Sequence, residues 1–246
     1  MGRGPGGFVG GGCGIRRVTG LGLRESRWGV GILGNKMSES TIASTPSLWE
    51  RRKIEAMSRI QRVALELFDE HGYREVTVER VAGAAGVSPS SIYRYFGTKE
   101  MLVLYDETDP QALEVMRTVG GGQTRDFVEL LAIARPLVPV VLDEIVTDDV
   151  EYRTRVRLGY VRSIPEVKSR QTEQWRALEN EFRIAFAELT GRDANDLKLR
   201  MAAAICIWSC MAALDHWEGT GFAARLRDVY AEAVEAILVS LEALFR

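Results

Sequence analysis

Apolar positions recur at helical spacing in two short bursts between residues 77 and 96, separated by a single glycine. Val78, Val81, Ala82 and Ala85 fall at i, i+3, i+4 and i+7, which is one face of about two helical turns, and Thr77 stands where a capping hydroxyl is wanted. Gly86 predicts the stop, because glycine adopts the left-handed conformation that ends a helix, and Val87 fills the corner. Ser88 offers a second N-cap with Pro89 behind it at the first helical position, so another helix starts at once. Within that helix Ile92 and Phe96 lie four apart on the inner side, leaving Ser90, Ser91, Tyr93, Arg94 and Tyr95 on or near the outer side.

The same periodicity predicts helices on both sides. Upstream, Ile54, Met57, Ile60/Gln61, Ala64, Leu67 and Phe68 indicate a helix over residues 49–71, ended by Gly72. Downstream, Lys99 begins a fourth helix, with a restart at Asp109-Pro110 and a flexible loop at Gly120, Gly121 and Gly122. Residues 126–145 are helical in pattern, bent or split by Pro136 and Pro139, and 148–163 and 165–189 continue the series. Asp193 is the expected cap of a helix reaching about residue 217 that is apolar nearly all round. A last helix over 222–245 carries a stripe at Leu226, Val229, Tyr230, Val234, Ile237, Leu238 and Leu241. No strand pattern follows residue 99, so the expected class is all-α. The expected domains are 1–48, a disordered glycine-rich extension and linker; 49–98, a three-helix unit built on the helix-turn-helix; and 99–246, a helical C-terminal domain.

A two-helix unit with a tight glycine turn is the geometry that places a second helix in the major groove of DNA. Hydroxyls and a guanidinium fork on its outer face suit phosphate oxygens and base edges. Two packed surface helices with no such role are the plainer alternative, but here caps, turn and polar outer face coincide.

The pattern Thr77-Val-x-x-Val-Ala-x-x-Ala-Gly-Val-Ser88-x-x-x-Ile-Tyr-x-Tyr-Phe96-x-x-Lys-Glu resembles the TetR (tetracycline-repressor-like) family of one-component transcription regulators, over about 50 residues. The resemblance implies a reading head that contacts double-stranded DNA through Thr77, Ser88, Ser90, Ser91, Tyr93, Arg94, Tyr95 and Lys99. By their family roles Tyr93, Tyr95 and Lys99 look like phosphate contacts, while Ser90, Ser91 and Arg94 are placed to reach bases. Ser90 stands where the family often carries glycine or alanine, so base preference does not transfer from relatives. The resemblance also implies that the helix from Lys99 joins head to C-terminal domain, and that the last two helices of two chains form a four-helix bundle. A homodimer of this kind acts in the cytoplasm on a palindromic operator, with half-sites about 34–36 Å apart. Residues 155–166 resemble a subgroup described as binding acyl-CoA-like ligands, with Arg155, Arg157 and Arg162 as partners for an anionic headgroup or else as solvated arginines. Tyr152, Tyr160, Trp175, Phe182, Phe186 and Trp208 either line a small-molecule effector cavity or belong to ordinary core. The expected activity is that of a repressor released by a small apolar or acyl-CoA-like ligand; the alternative is a dimeric helical interaction protein without DNA binding.

Composition changes this picture little. The formal net charge of −2 argues weakly against nucleic acid, but its distribution is uneven. Residues 51–99 hold nine bases and six acids, whereas 100–246 hold seventeen bases and 25 acids, so the basic excess sits at the reading head. Arg51, Arg52 and Lys53 adjoin it and are either phosphate contacts or a solvated face. Residues 1–36 hold 13 of the 24 glycines, and Met37 is a plausible true start; the alternative is a basic arm that touches DNA. The match of Gly2, Gly4 and Gly7 to a dinucleotide-binding fingerprint lacks the flanking strand and helix, and Arg16-Arg17 lacks the apolar run of an export signal. Cys206 and Cys210 read as apolar cysteines on one helix face, and with Cys13 they make no disulfide framework or zinc site. No metal or cofactor is expected. An enzyme is disfavoured, since His71 and His216 stand on separate helices and no nucleophile motif is present. Residues 201–214, the longest apolar stretch, fall short of the ~20 that a bilayer requires, so no membrane span is expected.

Overall fold

A computed structural model describes residues 48–106 and 108–246. Eleven α-helices and no strand occur among the described residues: α1 (Leu48–His71), α2 (Val78–Ala85), α3 (Pro89–Phe96), α4 (Glu100–Leu104), α5 (Thr108–Val119), α6 (Phe127–Ala134), α7 (Val138–Ile145), α8 (Asp148–Ser163), α9 (Pro165–Thr190), α10 (Leu197–Gly219) and α11 (Leu226–Phe245). The expectations for residues 1–47, including Met37 as a start and the basic arm, lie outside the described residues.

Three apolar clusters hold the chain together. The first joins Ile60, Ala64 and Phe68 of α1 to Val81 and Ala82 of α2, Ile92 and Phe96 of α3, and Leu102, Val103 and Leu104 of α4. It also takes Ile164 and Val167 from the corner between α8 and α9. The apolar core of the reading head therefore runs past residue 98 and is completed by two residues that stand some 60 positions later in the chain. The second cluster gathers Phe127, Phe186, Leu199, Ala202, Ala203, Ile237, Leu238 and Leu241, with Phe127 stacked on Phe245 at 3.8 Å. Val146, Leu158, Leu214, Trp217 and Leu226 make the third.

Several boundaries differ from those expected. The expected restart after the helix from Lys99 does occur, one residue early: α4 ends at Leu104, Tyr105 turns the chain out with φ −53° and ψ 124°, and α5 begins at Thr108, one residue before Asp109. The capping residue of α10 is Asp196, which accepts from the Lys198 amide at 2.7 Å, and not Asp193. Asp193 instead accepts from the Asn195 amide at 2.8 Å, an Asx-turn that a capping residue imitates in sequence. Phe222 does not start the last helix; it sits at φ 60° with its ring 4.7 Å from that of Trp217, plugging the turn, and α11 begins at Leu226. The Leu226 amide finds its acceptor on α8, in the Glu151 carboxylate at 3.0 Å. The prolines at 136 and 139 do split their segment, into α6, a 3-10 turn at Arg135–Leu137, and α7.

At 23 residues α10 is long and apolar enough to cross a bilayer by length and composition, contrary to the expectation from residues 201–214 alone. It is packed between α9 and α11 with Leu199, Ala202, Ala203, Ile207, Leu214 and Trp217 buried, and a core helix of a globular domain has the same composition.

The whole stripe on α11 faces inward: Leu226 lies in the third cluster with Val229 and Tyr230 packed against it, and Val234 packs against the second. Ile237, Leu238 and Leu241 belong to the second cluster of the same chain, and it is Val239, 54% exposed, that points away from it. Leu241→Ala should therefore destabilise the protomer by about 2–5 kcal/mol through the cavity it leaves. Tyr152→Ala, at a side chain 67% exposed, should stay within about 0.5 kcal/mol of the parent in the same urea titration.

Candidate nucleic-acid interface

The helix pair at residues 77–97 is built as its sequence indicates. Thr77 is extended and its hydroxyl accepts from the Arg80 amide at 3.2 Å, closing the first turn of α2. Gly86 has φ 67° and ψ 35°, the left-handed conformation in which a Cβ is strained, and the Val87 amide reaches back to the Ala82 carbonyl at 3.0 Å. Ser88 caps α3 by accepting from the Ser91 amide at 3.2 Å. Its hydroxyl also lies 2.9 Å from each of the Ser90 and Ser91 hydroxyls, so three hydroxyls fan out at the start of α3.

Ile92 and Phe96 are buried against α2 and turn the opposite face outward. Ser90 and Arg94 are exposed, Tyr93 is half exposed, and Ser91 and Tyr95 are partly covered. The Arg94 guanidinium lies 5.0 Å from the Tyr95 ring centre and its Nη2 donates to the Tyr95 hydroxyl at 3.4 Å, which holds the fork near the helix surface. Ser88, Ser90, Ser91, Tyr93, Arg94 and Tyr95 thus lie together on α3 and at its cap, whereas Thr77 stands at the start of α2.

Lys99 stands differently. Its ammonium donates to the Tyr73 carbonyl and sits 4.3 Å from the Tyr73 ring centre. Burial there lowers its pKa, against a smaller opposite effect of Glu100. Tyr73 is pushed up by burial and by Glu100, whose carboxylate accepts from the Tyr73 hydroxyl at 3.4 Å. A phosphate contact by Lys99 would exchange the Tyr73 carbonyl for a phosphate oxygen.

The effector residues expected from sequence do not line one cavity. Tyr160 packs on Phe68 and Tyr73, at 6.1 and 6.4 Å, and so belongs to the reading-head core. Trp175 borders the third cluster, Phe182 and Phe186 belong with the second, and Trp208 is exposed with its Nε1 donating to Glu179 at 2.8 Å. The cause is length: α9 spans 26 residues, about 39 Å, and carries Trp175 and Phe186 past different neighbours. Tyr152 is exposed. Arg155 pairs with Glu151, Arg157 with Asp106 and Arg162 with Glu218. Cys206 has its thiol pushed up by burial, as an apolar cysteine would. No group of metal-ligating side chains occurs among the described residues.

Two features escaped the sequence reading. Gln61, counted there on an apolar face, is buried and spends its amide on two backbone carbonyls. The ion pair between Asp106 and Arg157 joins residues 51 positions apart, which no local pattern shows.

A capped helix-turn-helix with a polar outer face defines a DNA-reading protein. Comparisons with known proteins agree. A family profile described as "Bacterial regulatory proteins, tetR family" matches residues 60–105, and one described as "MftR C-terminal domain" matches residues 136–242. The chain is 24% identical over 190 residues, 76% of its length and 88% of the relative's, to a protein of Mycobacterium tuberculosis named as a mycofactocin biosynthesis transcriptional regulator, MftR. It is 39% identical over 75 residues, 28% of its length and 33% of the relative's, to the HTH-type transcriptional regulator TcmR of Streptomyces glaucescens. Among solved structures it is similar to the transcriptional regulator FadR of Bacillus subtilis in complex with stearoyl-CoA, at TM-score 0.43 and 20% identity, covering 74% of this chain and 97% of that one. The chain belongs to the tetR family of bacterial regulatory proteins and is a DNA-binding transcriptional regulator.

Arg94→Ala should weaken binding to the preferred duplex by about 1–3 kcal/mol and blur base choice at one position per half-site. On random duplex at low salt the same variant should bind within about twofold of the parent, since phosphate contacts carry that binding. Fluorescence anisotropy titrations on both duplexes separate the two.

Proposed function

We propose that this protein is a homodimeric repressor that sits on a palindromic operator in the cytoplasm, does no chemistry of its own, and leaves DNA when a small, largely apolar or acyl-CoA-like ligand enters the C-terminal domain. The observation that carries the dimer is the outer face of α10 and α11. Leu197, Met201 and Trp208 follow one another at helical spacing on α10 and are exposed, and Val239 is exposed beside the small residues Ala236, Ser240 and Ala243 of α11. Apolar and small side chains on two adjacent helices suit close packing against a second copy.

Thr77, Ser88, Ser90, Ser91, Tyr93, Arg94 and Tyr95 are the DNA-facing set in this reading, with Lys99 joining when phosphate displaces the Tyr73 carbonyl. Support for a ligand comes from α7. It is rich in apolar residues, yet none of its described side chains is fully buried, and Val140 is exposed. Such a helix moves at low cost and can admit an apolar molecule between itself and α11, against which it packs. Val138 of α7 shares the second cluster with Phe182 and Phe186, and Leu142 and Ile145 share the third with Trp175, which makes these rings the candidates to meet such a ligand; Tyr160 packs in the reading-head core and Trp208 bonds to Glu179 on α9.

Met201→Glu combined with Val239→Glu should yield folded monomers on a sizing column, because both side chains lie outside the protomer core. Persistence of a dimer would place the interface elsewhere. For the ligand, linkage demands reciprocity: an inducer that lowers operator affinity a hundredfold, ~2.7 kcal/mol, must itself bind a hundredfold less tightly to the operator complex. Titrating long-chain acyl-CoA into the protein with and without operator duplex measures this. Equal affinity in the two titrations excludes acyl-CoA as the inducer, however tightly it binds.

A further inference from the structure

Among the described residues Gln61, Thr154 and Gln171 are the buried polar ones, and the first two line one cleft between the reading head and the C-terminal domain. The Gln61 amide, on α1, donates to the Val103 carbonyl at 3.2 Å and to the Tyr105 carbonyl at 2.7 Å. These are carbonyls at the end of α4, where helical partners run out, so one side chain of the head fixes the direction in which the chain leaves α4. The next residue is Asp106. Its carboxylate pairs with Arg157 of α8, both side chains being about 13–14% exposed, and Arg157 also donates to the Thr154 hydroxyl at 3.4 Å. Two consecutive residues, Tyr105 and Asp106, are therefore tied in opposite directions: one to the head, the other to the C-terminal domain. A largely buried, charge-assisted ion pair fixes the relative position of the two groups that it joins.

We propose that Arg157 and Asp106, together with Gln61, are positioning residues for DNA reading: they set the bend between α4 and α5 and hence the separation of the two reading heads in the dimer. This rests on the dimeric operator-binding reading above. A displacement of α8 is passed to residue 106 through the pair and on to α4 through the Gln61 amide. Neither Asp106 nor Arg157 touches DNA, and their effect appears only where two heads must fit at once.

The test separates one head from two. The parent protein first selects a full-site duplex from a random pool; failure to select a two-fold repeat sinks the dimeric operator reading itself, before any variant is made. Affinity is then measured on that duplex and on an isolated half-site for the double variant Asp106→Leu with Arg157→Met, which replaces a buried ion pair by apolar groups and so can keep the fold. The expected result is a loss on the order of tenfold or more on the full site, with half-site affinity within about twofold of the parent, because only the full site requires the spacing of about 34–36 Å. A pool of duplexes with varied half-site spacing should also give a broader optimum for the variant. Equal losses on both duplexes, or no loss on either, overturn the proposal. Should the double variant fail to fold, Asp106→Asn, which keeps the shape and removes the charge, is measured in the same way and judged by the same two outcomes.

Discussion

An eight-residue helix is too short to hold itself together in water, and α3 is such a helix. Only Ile92 and Phe96 anchor it, so its orientation is decided by what they rest on and by how its first turn is closed. The seat is made by Val81, Ala82 and Ala85 of α2, which in turn rest on Ile60, Ala64 and Phe68 of α1. The Gly86 turn and the Ser88 cap set the angle at which α3 leaves that seat. Everything else in the reading head exists to keep Ser90, Tyr93 and Arg94 facing out from a short element that could not present them alone.

The head does not finish its own core. Ile164 and Val167, from the corner of α8 and α9, are buried with the side chains of α1 and α4, and Tyr160 covers Phe68 and Tyr73. The link between DNA and the C-terminal domain is therefore a shared apolar interior beside the covalent path through α4, which is itself broken at Tyr105. A ligand acts on such an assembly only through a difference in its affinity for two arrangements.

The parts of this fold that were legible in the sequence are those whose cause is local. A hydroxyl before an apolar run, a proline at the first helical position and a glycine at its end act over four or five residues, so α2, α3 and α8 could be read almost to the residue. Where the same local sign has two uses, the reading failed: Asp193 makes an Asx-turn and leaves capping of α10 to Asp196. Phe222 carries the apolar character of a helix start, but it serves as a plug over Trp217 in a left-handed conformation. Periodicity also shows that a face is covered without showing by what. The stripe on α11 suggested a second chain, yet Ile237 and Leu241 are covered by α10 and α6 of their own chain. The effector residues were dispersed for the same reason, since spacing along α9 says nothing of which cluster each turn meets. Long-range polar ties such as Gln61 to Tyr105, and Asp106 to Arg157, leave no local trace at all.

The central claim is that α3 enters the major groove with its serine and arginine face toward base edges. The N7 atom of guanine lies only in that groove, so methylating it with dimethyl sulfate before binding tests the claim directly. If α3 reads the major groove, methylation of guanines in two patches about one helical turn apart, on one face of the selected duplex, will block binding. Interference confined to the N3 position of adenine, which lies in the minor groove, or its absence from both grooves would contradict the account.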